Sequence, residues 1–87
     1  MDFEFDAAKS AANLRKHGID FIDAQALWKD ADRLEIAARS VDEPRTQVIG
    51  RIGNQVWSAI VTLRDGRTRI MSARRARNEE RTAYFED

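Results

Sequence analysis

The sequence predicts an α+β domain in which helices pack on a mostly antiparallel sheet, in the order strand, helix, helix, four strands, helix. Three observations carry that expectation. Apolar residues recur at three- and four-residue spacing in two early stretches, first Ala7, Ala11 and Leu14, then Phe21, Ala24, Leu27 and Trp28, which is the period of a helix face. From Asp32 the period changes to two, with Leu34, Ile36 and Ala38 alternating against Arg33, Glu35 and Ala37 or Arg39, as a strand with one buried face requires. The pairs Gly53-Asn54 and Asp65-Gly66 tolerate the positive φ of two-residue turns, so segments near 46–52, 55–63 and 67–74 pair as consecutive antiparallel hairpins.

The elements follow in order. Phe3 and Phe5 alternate with Glu4 as a very short first strand, and Asp6 is placed to cap the helix after it. That helix, over 7–16, is alanine-rich and stops at His17-Gly18, where glycine supplies the left-handed closing residue. Asp20 caps a second helix, which Lys29-Asp30 ends. In the middle strand of the meander Trp57, Ala59, Val61 and Leu63 share one face, and Val56, Ser58, Ile60 and Thr62 share the other. Apolarity on both faces makes it a central strand. A last helix over 76–86 closes the chain, with Tyr84 and Phe85 packing near its end. No repeat or linker interrupts this β-α-α-β-β-β-β-α order, and 87 residues suffice for one domain, 1–87, with one core.

Composition excludes several functions. With 43% hydrophobic and 34% charged residues the interior is thin, so stability leans on a partner. There is no cysteine and one histidine; disulfides, cysteine-ligated metals and HExxH or EF-hand patterns are absent, and neither metal nor cofactor is expected. Gly50-Arg51-Ile52-Gly53 falls in a strand and its turn rather than before a helix, so it is no phosphate loop. Ser10, Ser40, Ser58 and Ser72 are not set in a nucleophile elbow. The acidic start, Met1 to Asp6, lacks the basic and apolar segments of a signal peptide. The longest nearly uncharged run, 52–63, is far short of the roughly 20 apolar residues that span a bilayer. A cytoplasmic protein without a membrane role is expected.

Fifteen basic and fifteen acidic side chains cancel, but their distribution is polarised. Residues 1–43 carry a net charge of −4 and residues 44–87 a net of +4. Arg64, Arg67, Arg69, Arg74, Arg75 and Arg77 are opposed in their stretch only by Asp65. All are arginine, whose planar guanidinium contacts phosphate bidentately as an ammonium cannot. A solvated, salt-bridged strand and helix face accounts for the same charges equally well.

These arginines, His17 and Tyr84 matter because RNA scission needs no protein nucleophile. A ribose 2′-hydroxyl attacks the adjacent phosphorus, provided the protein removes a proton, neutralises charge on the phosphoryl oxygens and helps protonate the leaving 5′-oxygen. Arginines can supply the second task, and a histidine, ordinarily titrating near 6.5, the first or third. Plainer readings stand beside these. His17 suits the negative end of its helix, Tyr84 anchors the last helix, and Glu80 serves as a base, as an N3 residue meeting the helix N-terminus, or as a partner of Arg77 or Arg81.

Two stretches resemble a known family. The opening Phe3-Glu4-Phe5-Asp6-Ala7-Ala8-Lys9, with Asn13-Leu14-Arg15-Lys16-His17-Gly18-Ile19-Asp20-Phe21, is similar to the N-terminal signature of the BrnT toxins. The stretch Arg69-Ile70-Met71-Ser72-Ala73-Arg74-Arg75-Ala76, followed by Glu80-Arg81 and Tyr84, resembles the family's closing strand and helix. The resemblance implies a RelE-like fold, a growth-arresting ribonuclease, and a BrnA-type antitoxin that binds DNA in the manner of a ribbon-helix-helix protein and joins the toxin in a hetero-oligomer. It implies Lys16, His17, Arg64, Arg74, Arg75, Glu80 and Tyr84 as site residues, with His17, Arg64, Arg74, Glu80 and Tyr84 as the catalytic candidates; Lys16 and Arg75, together with Arg67, Arg69, Arg77 and Arg81 of the arginine-rich strand and helix, are the expected RNA contacts. The chain departs from the family at Asp30-Ala31, where Asp-Pro is usual, at Trp28, where phenylalanine is, and at Arg77, where a Thr, Ser or Asn cap is common. The last of these predicts a final helix that begins differently or frays. The competing expectation is a non-catalytic nucleic-acid-binding or protein-interaction module, in which His17 is expendable.

Overall fold

A computed structural model describes residues 1–38 and 42–86. Arg39 and Ser40, named above, lie outside the described residues. The strands are β1 (Phe3–Glu4), β2 (Leu34–Ala38), β3 (Arg45–Ile52), β4 (Gln55–Arg64) and β5 (Arg67–Arg75). The helices are α1 (Ala7–His17), a 3₁₀ helix (Asp23–Lys29) and α2 (Asn78–Glu86). The strands form one sheet in the order β1-β5-β4-β3-β2. The predicted hairpins pair antiparallel, and β1 joins the far edge parallel to β5 through Phe3–Thr68 and Glu4–Arg69. The α+β class and element order agree with the RelE-like arrangement implied by the resemblance.

Turn chemistry sets the registers. Asp65 and Gly66 both take positive φ, 52° and 77°, as a type I′ turn demands, whereas only the first residue of Gly53-Asn54 does, at 61°. A bulge puts Met71 opposite no partner, between the pairs Ile60–Ser72 and Val61–Ile70.

Apolar side chains bury on both sheet faces instead of in one core. Val48, Ala59, Val61, Ile70 and Ala73 meet Ile19, Phe21, Ala24 and Leu27 on one side. Ile49 and Val56 meet Tyr84 of α2 on the other, with Leu34 and Ala76 packed against them. The second predicted helix is 3₁₀ rather than α. Ala24 and Leu27, three residues apart and each almost fully buried, stack along a helix of about 3.0 residues per turn, and Phe21, in the turn before it, is buried as well.

The expected apolar face of α1 is corrected. Ala7 and Ala11 are exposed and Leu14 is 47% exposed, while Ser10 and Asn13 are buried. The helix is held by polar groups. Ser10 Oγ accepts the Phe21 N–H at 2.9 Å. Asn13 Nδ2 donates to the Ile19 and Ala73 carbonyls, both at 2.8 Å, and its Oδ1 accepts the Ala73 N–H at 3.3 Å. Asn13 thereby completes the β5 edge beyond the reach of two-residue β1, where buried backbone groups need partners. Its termini follow expectation: Asp6 accepts the Lys9 N–H at 3.0 Å, and Gly18 is left-handed at φ 82°.

Candidate active site

Alternation along β5 aims Arg74 at the open side of the sheet. Ala73 is buried beneath the α1 side, so its neighbour projects from the opposite face. There Arg74 pairs in register with Ser58, and Ser58 with Ile49. The start of α2 stands over this row and delivers Glu80.

Glu80 is the junction of the site. Arg74 Nη1 donates to its Oε1 at 2.8 Å and Nη2 to its Oε2 at 2.9 Å. Gln47 Nε2 donates to Oε2 at 2.6 Å and also to Ser58 Oγ at 2.9 Å. The Arg77 N–H donates to Oε1 at 2.8 Å, so this third residue of α2 covers an amide at the helix start. Arg77 thus begins the helix without a capping side chain of its own. Arg74 holds the Glu80 carboxyl down at about 2, against burial and with help from Arg77 and Gln47. Glu80 in turn raises the guanidinium above its ordinary value.

Arg74 is fixed without being used up. Its Nη1 also donates to the Arg75 carbonyl at 3.1 Å. Of the five N–H donors of a guanidinium, Nε–H and the second Nη2–H have no acceptor among the described residues. They form the second fork of the plane, the geometry that takes two oxygens of one phosphate.

The other candidates lie apart from this cluster. Tyr84 is buried, and its hydroxyl donates to Asp30 Oδ2 at 2.5 Å. That bond, reinforced by burial, pushes the phenol up to about 12. Burial pushes the Asp30 carboxyl up, but Tyr84 and the N–H groups of Arg51 and Asp32 hold it below its ordinary value. Arg64 and Arg67 pair in register at the far end of the β4–β5 hairpin. Arg64 lies six residues along β4 from Ser58, about 20 Å at strand rise, with Glu43 at 3.6 Å. Arg69 faces Glu4 at 3.6 Å. Arg75 bonds Gln55, and Arg77 and Arg81 are exposed around the start of α2.

Lys16 is exposed and His17 half-buried in the last turn of α1. Among the described residues His17 makes no side-chain hydrogen bond or ion pair. It lies one turn beyond Asn13, which is bonded to the residue preceding Arg74, so it sits beside the end of β5 rather than on the Arg74 face. Gln47 and Asp30, which tie the site and α2 to the sheet, escaped sequence reading because their partners are distant in the chain. Among the described residues no group of three or more His, Asp or Glu is placed to hold a metal. No helix among them is long and apolar enough to cross a membrane.

Residues 5–80 match the family model described as the ribonuclease toxin, BrnT, of type II toxin-antitoxin systems. No curated protein matches the chain.

Proposed function

Because this chain belongs to the BrnT family, ribonuclease toxins that type II systems pair with an antitoxin, we propose that Arg74 binds the scissile phosphate of RNA on the open sheet face. The observation that carries this is the free guanidinium fork of Arg74 beside the Glu80 clamp. A cation fixed before substrate arrives stabilises charge growing on the phosphoryl oxygens without reorganising at the moment of reaction.

The reaction is metal-independent endonucleolytic cleavage driven by the 2′-hydroxyl. Glu80, ionised at every physiological pH by its value of about 2, is a positioning residue, since a general base works best near the operating pH. Tyr84 holds α2 rather than the substrate. His17, off the Arg74 face, takes a proton-transfer step only where the strand turns from Arg74 over the β5 edge and brings the reacting bond within its reach, and Lys16 and Arg75 add phosphate contacts there; Arg64, Arg67, Arg69, Arg77 and Arg81 serve RNA bound farther from the reacting bond. A BrnA-type antitoxin, a DNA-binding protein of ribbon-helix-helix type, covers the arginine face in a cytoplasmic hetero-oligomer.

Induced expression in a bacterial host of the wild type, Arg74→Ala and His17→Ala, with and without the neighbouring antitoxin gene, tests this. The wild type is expected to arrest growth and degrade RNA, and either substitution or the antitoxin to relieve both. Arrest that persists in folded Arg74→Ala sinks the assignment; persistence in His17→Ala alone removes His17 from the mechanism.

A further inference from the structure

Among the described residues, two buried side-chain atoms lack a hydrogen-bond partner, Arg45 Nε and Glu4 Oε1. They belong to one row. Ala38 pairs with Arg45; Arg45, next along β3 from the Thr46–Val61 pair, faces Thr62; Thr62 pairs with Arg69, and Arg69 with Glu4. The row crosses all five strands. Val61 is buried on the α1 side, so Arg45, Thr62 and Arg69 project from the face that carries Arg74.

Orphaned buried polar atoms are rare enough that each calls for a cause. Arg45 is half-buried yet makes no ion pair with any described residue. Arg69 has Glu4 at 3.6 Å, too long for a hydrogen bond, and that same Glu4 oxygen is the second orphan. Two guanidinium groups thus flank Thr62, whose hydroxyl is spent on the Pro44 carbonyl at 2.7 Å. The row is cationic by one charge, with an unmet donor at Arg45 and, at the opposite edge, a carboxylate oxygen that Arg69 does not reach.

We propose that Arg45 and Arg69 form a second phosphodiester site, holding the RNA strand whose scissile phosphate lies at Arg74. The inference rests on the function proposed above. Ser58 and Thr62 are four residues apart on β4, so the two sites are separated by about 13 Å at strand rise, more than one nucleotide step along the same face. Between them the row of Ser72, Ile60, Gln47 and Ile36 offers hydroxyl, amide and partly exposed apolar groups to a nucleoside. A phosphate here accepts from the guanidinium groups of Arg45 and Arg69, gives Arg45 Nε an acceptor once that side chain turns outward, and draws Arg69 away from Glu4.

The test measures binding of a single-stranded RNA oligonucleotide, made uncleavable by 2′-deoxy substitution, to the full-length toxin over a salt series. Arg45→Gln is expected to weaken binding about tenfold and to reduce the salt slope by about one, with cleavable RNA showing the loss mainly in KM. Glu4→Gln, which removes the carboxylate competing for Arg69, is expected to tighten binding. Arg45→Lys keeps the charge and loses the planar fork, so it retains the wild-type slope at lower affinity; it carries the test if Arg45→Gln does not fold. Unchanged affinity and slope in folded Arg45→Gln overturns the proposal, as does weakened antitoxin binding with RNA binding intact, which assigns the row to an acidic segment of the protein partner. Arg74→Gln, run in parallel, reports separately on the catalytic assignment: wild-type cleavage by that variant defeats the function proposed above and not the binding site alone.

Discussion

Glu80 accepts four hydrogen bonds, from β3, β5 and the start of α2. Glu80→Gln keeps the shape and removes the charge that makes the clamp on Arg74 strong. The expected loss in kcat/KM is about a hundredfold from misplacement of Arg74, measured by RNA cleavage with the fold checked by circular dichroism. The same residue predicts an acid sensitivity. Its carboxyl titrates at about 2 against an ordinary 4.5, so its contribution, on the order of 2 kcal/mol, is complete above the ordinary value and disappears as pH falls through the folded one. Denaturation at neutral pH and at about pH 3 should show a smaller acid-induced loss of stability in Glu80→Gln than in the wild type. The sequence offered Glu80 as base, helix-start residue or arginine partner. The fold joins the last two in one carboxylate, but the arginine is Arg74, six residues back, and Gln47 is 33 away. Local spacing rules reach only three or four residues along a helix, so neither partner was legible.

Elements report the same limit in another form. Turns and strands were readable because Gly53, Asp65 and Gly66 act through their own backbone and β4, bounded by those turns, is apolar and buried on both faces. Periodicity missed the buried side of α1 because that side is polar, and polar residues enter a hydrophobic pattern only as gaps. Asn13→Leu should therefore destabilise the protein although it adds an apolar group to a buried position. It leaves the Ala73 N–H and carbonyl and the Ile19 carbonyl without their partner, a cost of about 2–4 kcal/mol, read as a fall in Tm of at least about 8 °C. Gly50→Ala tests the packing of the 3₁₀ helix on β3. The new Cβ would lie 3.1 Å from Leu27 Cδ2 and 3.3 Å from Arg33 Cβ, an overpacking expected to lower stability by about 1–2 kcal/mol in chemical denaturation.

Across the whole molecule the charge polarity of the chain does not become two poles. The sheet sets Glu4 beside Arg69 because β1 crosses to pair with β5, a long-range choice that no local pattern encodes, and the lead-in to β3 sets Glu43 beside Arg64 of β4. Long range also governs α2, which rests on Ile49 and Val56 and is tied to the opposite side of the sheet by Tyr84 and Asp30. Tyr84→Phe is expected to cost about 1 kcal/mol and to spare cleavage wherever the helix stays docked, measured by melting and RNA cleavage at one temperature below the transition. With its phenol pushed up to about 12 from an ordinary 10, the bond contributes fully below the ordinary value and is lost as pH rises through the folded one, a loss that Tyr84→Phe should not show. The carboxylate that orients Arg74 also belongs to α2 and covers the Arg77 amide just before that helix, so the helix cannot leave without disarming the arginine. In genetic terms, inactivating this toxin does not require touching its arginines: among survivors of its expression, those substitutions at Asp30 or Tyr84 that are harsh enough to undock α2 should appear beside those at Arg74, scattered in the gene yet equivalent in effect.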